Sequence, residues 1–122
     1  MSKKIIIIDD DKVILHITKK ALEAAGFEVE SLETPLGATI KVISSKPDLI
    51  MVDVNMPELS GEHLVSALRE FTQRNDVPIV FFSALSESKL SKLVERYGAS
   101  GYIRKGNKVE YFVERVKSFL GK

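Results

Sequence analysis

Asp53 follows four consecutive apolar residues, and the pair Asp9–Asp10 follows another apolar run. Runs as short as residues 5–8 and 49–52 are typical of strands that are buried on both faces of a parallel sheet. Carboxylates gathered at one point repel one another unless a cation lies among them. Oxygen ligands without histidine or cysteine favour a hard divalent ion such as Mg²⁺, so these aspartates are candidate metal ligands.

Two later apolar runs end in other reactive side chains. The hydroxyl of Ser83, followed by Ala84, ends one run, and the ammonium group of Lys105 ends the next. Carboxylates, a divalent metal, a hydroxyl and a lysine around one point form a site suited to phosphoryl groups. Because a carboxylate can form an acyl phosphate, Asp53 is the predicted nucleophile.

An alternating pattern of strands and helices must position these side chains. Five short predicted strands, three of them continuous apolar runs, alternate with five segments of helical period along the chain. Strict alternation predicts right-handed crossovers and a parallel sheet with helices on both faces. The first, third and fourth runs are the most continuously apolar, so they should be central. The order 2-1-3-4-5, a flavodoxin-like doubly wound α/β fold, satisfies this and brings Asp9, Asp10 and Asp53 to one crevice.

The first predicted helix covers residues 12–26. Its apolar residues at helical spacing predict a buried stripe: Ile14, Ile17, Ala21, Leu22 and Ala25. Val13 and Leu15 fall off this stripe, so we expect at least one of them to face solvent beside the crevice.

The second predicted helix begins at Thr34–Pro35, with Thr34 as the N-cap and Pro35 at the first helical position. Helical spacing predicts that the side chains of Leu36, Ile40 and Ile43 are buried.

Composition excludes several classes of protein. A length of 122 residues suits one domain. Lysine plus arginine number 18 against 17 acidic residues, and this balance argues against nucleic-acid binding by bulk charge. The absence of cysteine excludes disulfides and thiolate metal sites. The run at residues 5–8 is too short for a signal peptide or a membrane span.

The sequence resembles the response-regulator receiver domains of two-component (phosphorelay) signalling, including the chemotaxis regulators. The resemblance covers essentially the whole chain, so we expect a single receiver domain over residues 1–122. Its motifs occur in order at the ends of predicted strands: Asp9–Asp10, the block from Asp53 to Pro57, Gly61, Ser83–Ala84, and residues 98–105.

The resemblance implies that Asp53 accepts a phosphoryl group from a phosphohistidine, carried by a histidine kinase or a histidine phosphotransfer protein. Asp10, Asp53 and the backbone carbonyl of Asn55 are the implied Mg²⁺ ligands. Asp9 would bind through water or act as a second acid. The resemblance also implies that helix 1 docks the phosphodonor protein, and Leu15 is our candidate contact.

The resemblance also implies a switch. Lys105, Ser83 and Ala84 would contact the phosphoryl group, and movement of Ser83 would change the exposure of Tyr102. The surface of helix 4, strand 5 and helix 5 would then signal to a downstream protein or output domain. By this resemblance we expect a cytoplasmic protein with no membrane partner and no direct binding of nucleic acid. It is not an enzyme, beyond promoting its own phosphorylation and dephosphorylation.

Two positions depart from the family pattern. Gly106 stands where a proline usually follows the lysine, so we predict a trans link between Lys105 and Gly106. Ser83 replaces the commoner threonine and keeps the hydroxyl.

Asp11, beside the acidic pair, is predicted to act only as a cap of the first helix.

Two alternatives stay open at this point. The chain could be a receiver-like interaction module that never turns over phosphate. It could less readily be a small Mg²⁺-dependent phosphohydrolase, which would need a second acid where Asn55 stands.

Overall fold

The structure, a computed structural model, describes residues 2–56 and 59–121. Over these residues five strands alternate with five helices. The strands are β1 (Lys4–Ile8), β2 (Glu28–Leu32), β3 (Leu49–Val52), β4 (Ile79–Ser83) and β5 (Gly101–Arg104). The helices are α1 (Lys12–Ala24), α2 (Ala38–Ser45), α3 (Gly61–Arg74), α4 (Glu87–Tyr97) and α5 (Val109–Phe119).

The strands form one parallel sheet in the order β2-β1-β3-β4-β5, as predicted. Every residue of β3 is buried, while β2 and β5 lie at the edges with partly exposed side chains. In the register of the sheet, Ile8 pairs with Val52 and Val52 pairs with Phe81. The carboxyl ends of the central strands therefore meet at one edge of the sheet.

Alternation of side chains along β1 divides the core into two layers. Ile5 and Ile7 pack with α1 and α5 on one face of the sheet. Ile6 and Ile8 pack with α2, α3 and α4 on the other face. Among the described helices, none is long and apolar enough to span a membrane.

The buried face of α1 differs from the predicted one. Leu15, Thr18 and Leu22 are buried, and Leu15 is only 4% exposed, whereas Ile17 is 54% exposed. At least one of Val13 and Leu15 was expected to face solvent, and Val13, at 67%, does, whereas Leu15 is buried and the prediction that it contacts the donor is wrong. Apolar residues occupy several neighbouring positions at the start of this helix, so two phases of the 3.6-residue period fit the sequence. The choice follows from contact with Ile5 and Ile7, which lie in the same cluster as Leu15.

The start of α2 also differs from the prediction. The Thr34 hydroxyl accepts a hydrogen bond from the Leu36 N–H at 3.2 Å, and the Ala38 N–H donates to the Pro35 carbonyl at 3.1 Å. These bonds form a turn ahead of the helix. The N-cap is Gly37, with a left-handed φ of 76° that glycine adopts without strain. The predicted N-cap at Thr34 is wrong by three residues.

The shifted start rotates the buried face of α2. Ala38 and Val42, one turn apart, are fully buried against the sheet. The three residues predicted to be buried are exposed: Leu36, Ile40 and Ile43. The predicted buried stripe of this helix is therefore wrong, because its phase was taken from the larger apolar side chains.

The link between Lys105 and Gly106 is trans, as predicted, since the described ranges contain no cis peptide bond. Gly106 has a φ of 91°, in the left-handed region that favours glycine.

The corrected face of α1 leads to a test of stability. We expect Leu15→Ala to lower the free energy of unfolding by about 2–4 kcal/mol, because it leaves a cavity in the core. Ile17→Ala should cost less than about 1 kcal/mol, because that side chain already faces solvent. Urea unfolding of both variants measures the difference. Equal losses, or a larger loss for Ile17→Ala, would contradict the assigned face.

Candidate functional site

Backbone hydrogen bonds hold three of the predicted site residues at the carboxyl ends of their strands. The Asp53 N–H donates to the Ile8 carbonyl at 2.9 Å, which continues the pairing of β3 with β1. The Lys105 N–H donates to the Ser83 carbonyl at 2.9 Å, which continues the pairing of β5 with β4. The main chain at Asp53, Ser83 and Lys105 is thus fixed by the sheet rather than by loops.

The structure brings together the three carboxylates that the sequence placed at the ends of strands 1 and 3. Asp9, Asp10 and Asp53 each offer one oxygen, and these oxygens lie within 4.8 Å of one another. Asp9 is fully buried and Asp53 is 7% exposed, while Asp10 is exposed to solvent. Such close carboxylates with little hydration must be balanced by a positive charge.

The Lys105 ammonium group supplies part of that charge. Its Nζ atom lies 2.7 Å from Oδ2 of Asp9 and 3.4 Å from Oδ1 of Asp53. The same nitrogen lies 5.4 Å from the centre of the Phe82 ring, so it also makes a cation–π contact. One lysine is shared between two buried carboxylates and leaves negative charge in excess.

Burial and this excess of negative charge together raise the pKa of the Asp53 carboxyl to about 6. Burial is the largest cause, and the negative charge of Asp9 adds to it. The Lys105 ammonium opposes both, and Asp10 makes a smaller contribution that again raises the pKa. Asp53 therefore ionises near neutral pH, and a further cation in the cluster would favour its charged form.

The donor set fits a hard divalent cation. Three carboxylates against one ammonium leave a surplus of negative charge, and the candidate ligands are all oxygens. Oδ2 of Asp9 is buried and accepts no well-aligned hydrogen bond in the described part of the chain, although Lys105 lies nearby. A carboxylate oxygen can accept more than one bond, so besides its contact with Lys105 this oxygen can accept one from metal-bound water.

Asp11 faces away from this cluster, as predicted. Its carboxylate accepts hydrogen bonds from the N–H groups of Val13 and Ile14, at 3.0 and 3.1 Å, and caps α1. Its own N–H donates to Oδ1 of Asp9 at 3.0 Å. The start of α1 therefore helps to orient Asp9, which leaves the other oxygen of Asp9 directed at Lys105.

Ser83 is buried at the end of β4, and Ala84 after it is exposed. The Ser83 hydroxyl accepts a hydrogen bond from the N–H of Leu85 at 3.2 Å. Tyr102 is partly buried on β5 and packs on the α4 side of the sheet, with its hydroxyl 3.4 Å from Glu87.

The turn that leads into α3 packs directly on the backbone of Asp53. The Gly61 N–H donates to the Val54 carbonyl at 2.8 Å, and a Cβ atom at Gly61 would lie 1.9 Å from the Asp53 carbonyl oxygen. Only glycine fits at this approach. Asn55 is exposed in the loop after β3, and Pro57, which belongs to the predicted motif, lies outside the described residues.

The contact of Arg104 was not predicted from the sequence. Its side chain connects β5 to the loop after β4 by a hydrogen bond. Its Nε–H donates to the carbonyl of Leu85 at 3.0 Å. No motif signals this contact, because the acceptor is a main-chain atom.

Comparison with known proteins agrees with this geometry. A sequence model described as the response regulator receiver domain matches residues 5–117. The chain belongs to this family. Phosphorylation and Mg²⁺ binding are standard properties of receiver domains in two-component signalling.

Individual relatives cover nearly the full length of the chain. The polar-differentiation response regulator DivK of Brucella ovis is 27% identical over 121 residues, which are 99% of this chain and 98% of DivK. The chemotaxis response regulator CheY4 of Vibrio cholerae has a TM-score of 0.89 at 27% identity, with 98% of this chain and 100% of CheY4 covered. The BeF3-activated receiver domain of Klebsiella pneumoniae RstA has a TM-score of 0.89 at 26% identity, with 98% and 100% covered.

The raised pKa of Asp53 makes stability depend on pH. The folded state binds this proton more tightly than the unfolded chain does, so ionised Asp53 destabilises the fold above pH about 6. We expect Asp53→Asn to raise the free energy of unfolding at pH 7.5, without divalent cations, by about 1–3 kcal/mol. The gain should shrink as the pH falls from about 6 towards 4, where the wild-type carboxyl becomes protonated.

Urea unfolding at pH 7.5 and 4.5 measures this gain. Asp11→Asn is a matched control and should change stability little at either pH, because asparagine caps helices about as well as aspartate. A gain from Asp53→Asn that is equal at both pH values would contradict the assigned cause.

Proposed function

We propose that this receiver domain accepts a phosphoryl group on Asp53 in a Mg²⁺-dependent reaction and acts as a phosphoacceptor switch. The supporting observation is the cluster of Asp9, Asp10 and Asp53 at the carboxyl edge of the sheet, with the Lys105 ammonium in contact with Asp9 and Asp53. Its chemistry suits a phosphoryl group, which brings negative oxygens that need both a metal ion and a lysine.

Each residue has a distinct part in this proposal. Asp10 and Asp53, with the backbone carbonyl of Asn55, would hold Mg²⁺, and Asp9 would bind it through water or act as a second acid. When bound, Mg²⁺ supplies charge that offsets the crowded carboxylates and the phosphoryl oxygens. Lys105 would pair with one phosphoryl oxygen.

The proposed transfer forms one bond and breaks one. A carboxylate oxygen of Asp53 forms the new P–O bond as the P–N bond of the donor's phosphohistidine breaks. The electron pair of that bond stays on the imidazole nitrogen, which takes up a proton. The nucleophile must be ionised, and Lys105 favours that form of Asp53.

The proposed signal passes through the residues around the new phosphoryl group. The Ser83 hydroxyl and Ala84 would contact its oxygens, and the shift of Ser83 would change the packing of Tyr102. Tyr102 lies between these residues and α4, which it contacts at Glu87. The surface of α4, β5 and α5 would then present a different face to a downstream protein or output domain.

Incubation with Mg²⁺ and acetyl phosphate, followed by intact mass measurement, tests the phosphoacceptor role. We expect the wild-type chain to gain one phosphoryl group and Asp53→Asn to gain none. Chelation of Mg²⁺ should abolish the gain, because the phosphoryl oxygens then face uncompensated carboxylates.

The control variant is Asp11→Asn, which keeps the helix cap and should gain the phosphoryl group normally. No gain by the wild-type chain with any small phosphodonor would favour an interaction module without phosphate turnover. Continuous release of phosphate from a phosphomonoester would favour the phosphohydrolase alternative.

Leu15 is buried and cannot contact a donor protein, so the proposed donor contact must involve other residues of α1. Val13 and Ile17 lie one turn apart on α1, immediately after the acidic pair, and both expose most of their side chains. We propose that these two side chains, rather than Leu15, contact the histidine kinase or phosphotransfer protein that serves as donor.

Two donors separate docking from chemistry. We expect the double variant Val13→Ala/Ile17→Ala to slow transfer from a phosphohistidine protein that phosphorylates the wild-type chain by about 5- to 30-fold. Its phosphorylation by acetyl phosphate should be unchanged, because the site is intact. Leu36→Ala/Ile40→Ala, which changes one residue just before α2 and one within it, removes a similar exposed apolar area and should leave both rates unchanged. Equal slowing with both donors would contradict a docking role.

A further inference from the structure

The loop between β4 and α4 is tied to the end of β5 by one arginine. Arg104 is exposed at the last position of β5, and its Nε–H donates to the Leu85 carbonyl at 3.0 Å. Leu85 lies two residues after Ser83, in the short connection that leads to α4. The contact therefore joins the chain segments that carry Lys105 and Ser83.

Two further hydrogen bonds make this contact part of a closed ring that runs through Leu85, Ser83, Lys105 and Arg104. The Leu85 N–H donates to the Ser83 hydroxyl oxygen at 3.2 Å, and the Lys105 N–H donates to the Ser83 carbonyl at 2.9 Å. Lys105 follows Arg104 directly. Ser83 and Lys105, the two proposed phosphoryl contacts on this side of the site, are thus both members of the ring.

The base of the arginine is held as well. The Asn107 side-chain amide donates to the Arg104 carbonyl at 3.1 Å, across the turn that contains Gly106. The Arg104 main chain also pairs with Ser83 in the sheet register. A displacement of Leu85 beyond the reach of the Arg104 side chain therefore breaks their bond, because the arginine main chain is held in place.

We propose that Arg104 is a positioning residue that holds the β4–α4 loop in the arrangement seen here and so sets how readily Ser83 turns to a phosphoryl group. This inference rests on the proposed function. A rotation of the Ser83 side chain carries its oxygen away from the Leu85 N–H and releases one end of that residue. Arg104 holds the other end, at the carbonyl.

A contact biases a two-state switch only if it is stronger in one state. The Arg104–Leu85 bond occurs together with the bond from the Leu85 N–H to the Ser83 hydroxyl, so it favours the arrangement in which that hydroxyl is held by the loop. One exposed hydrogen bond of this kind corresponds to a change of about two- to tenfold in the equilibrium.

The test combines a phosphoryl mimic with amide hydrogen exchange. Arg104→Met keeps the length of the side chain and removes its donors, whereas Arg104→Lys keeps a donor. Arg74→Met, an exposed arginine on α3 that pairs with Glu70, controls for loss of charge. Binding of beryllofluoride with Mg²⁺ is followed by amide NMR in all four proteins, and exchange at Leu85 is measured without ligand.

We expect Arg104→Met to bind beryllofluoride about two- to tenfold more tightly and its Leu85 amide to exchange about two- to tenfold faster. Exchange at Phe81, in the centre of the sheet, should be unchanged, which separates local release from global destabilisation. Arg104→Lys should lie closer to the wild type than to Arg104→Met, and Arg74→Met should match the wild type.

Unchanged or weaker binding by Arg104→Met would overturn the proposal, and so would equal effects of Arg74→Met or Arg104→Lys. If the wild-type chain fails to bind beryllofluoride, the proposed function fails. The Leu85 exchange then still decides whether Arg104 holds the loop.

Discussion

The crowding of buried carboxylates around one lysine is the constraint on which this site depends. Asp9 and Asp53 lie almost out of reach of water, and Lys105 is shared between them. Neither carboxylate could be held there by a flexible loop, because repulsion would separate them. The parallel sheet prevents this, since backbone bonds fix Asp53 to β1 and Lys105 to β4. The fold thus keeps in place an arrangement of charge that favours the arrival of a cation.

Much of this arrangement could be predicted from the sequence because it depends on the order of the strands. Four of the five predicted strands are followed by or end in a reactive side chain, so strict alternation was enough to place Asp9, Asp53, Ser83 and Lys105 at one edge. The pattern of apolar residues carries the topology. Gly61 belongs to the receiver motif in the sequence. The reason for a glycine there, its close approach to the Asp53 carbonyl, is visible only in the structure.

The orientation of two helices could not be predicted in the same way. Neighbouring apolar residues at the start of α1 allow two faces, and only packing on β1 selects Leu15. In α2 the large side chains mark the solvent face, while the small Ala38 and Val42 make the contacts with the sheet. Arg104 was missed for a different reason. Its partner is a main-chain carbonyl, whose position depends on the course of a loop that residue types do not encode.

Gly106 has a consequence for engineering by family consensus. Replacing an unusual residue by the common one often stabilises a protein, and proline is the common residue after the receiver lysine. Here the backbone at Gly106 has a φ of 91°, whereas proline holds φ near about −65°. The consensus residue would therefore force the turn after Lys105 into another path and redirect the lysine itself. Gly106 and the turn it forms must be treated as one unit, which can be exchanged between receivers only as a whole loop.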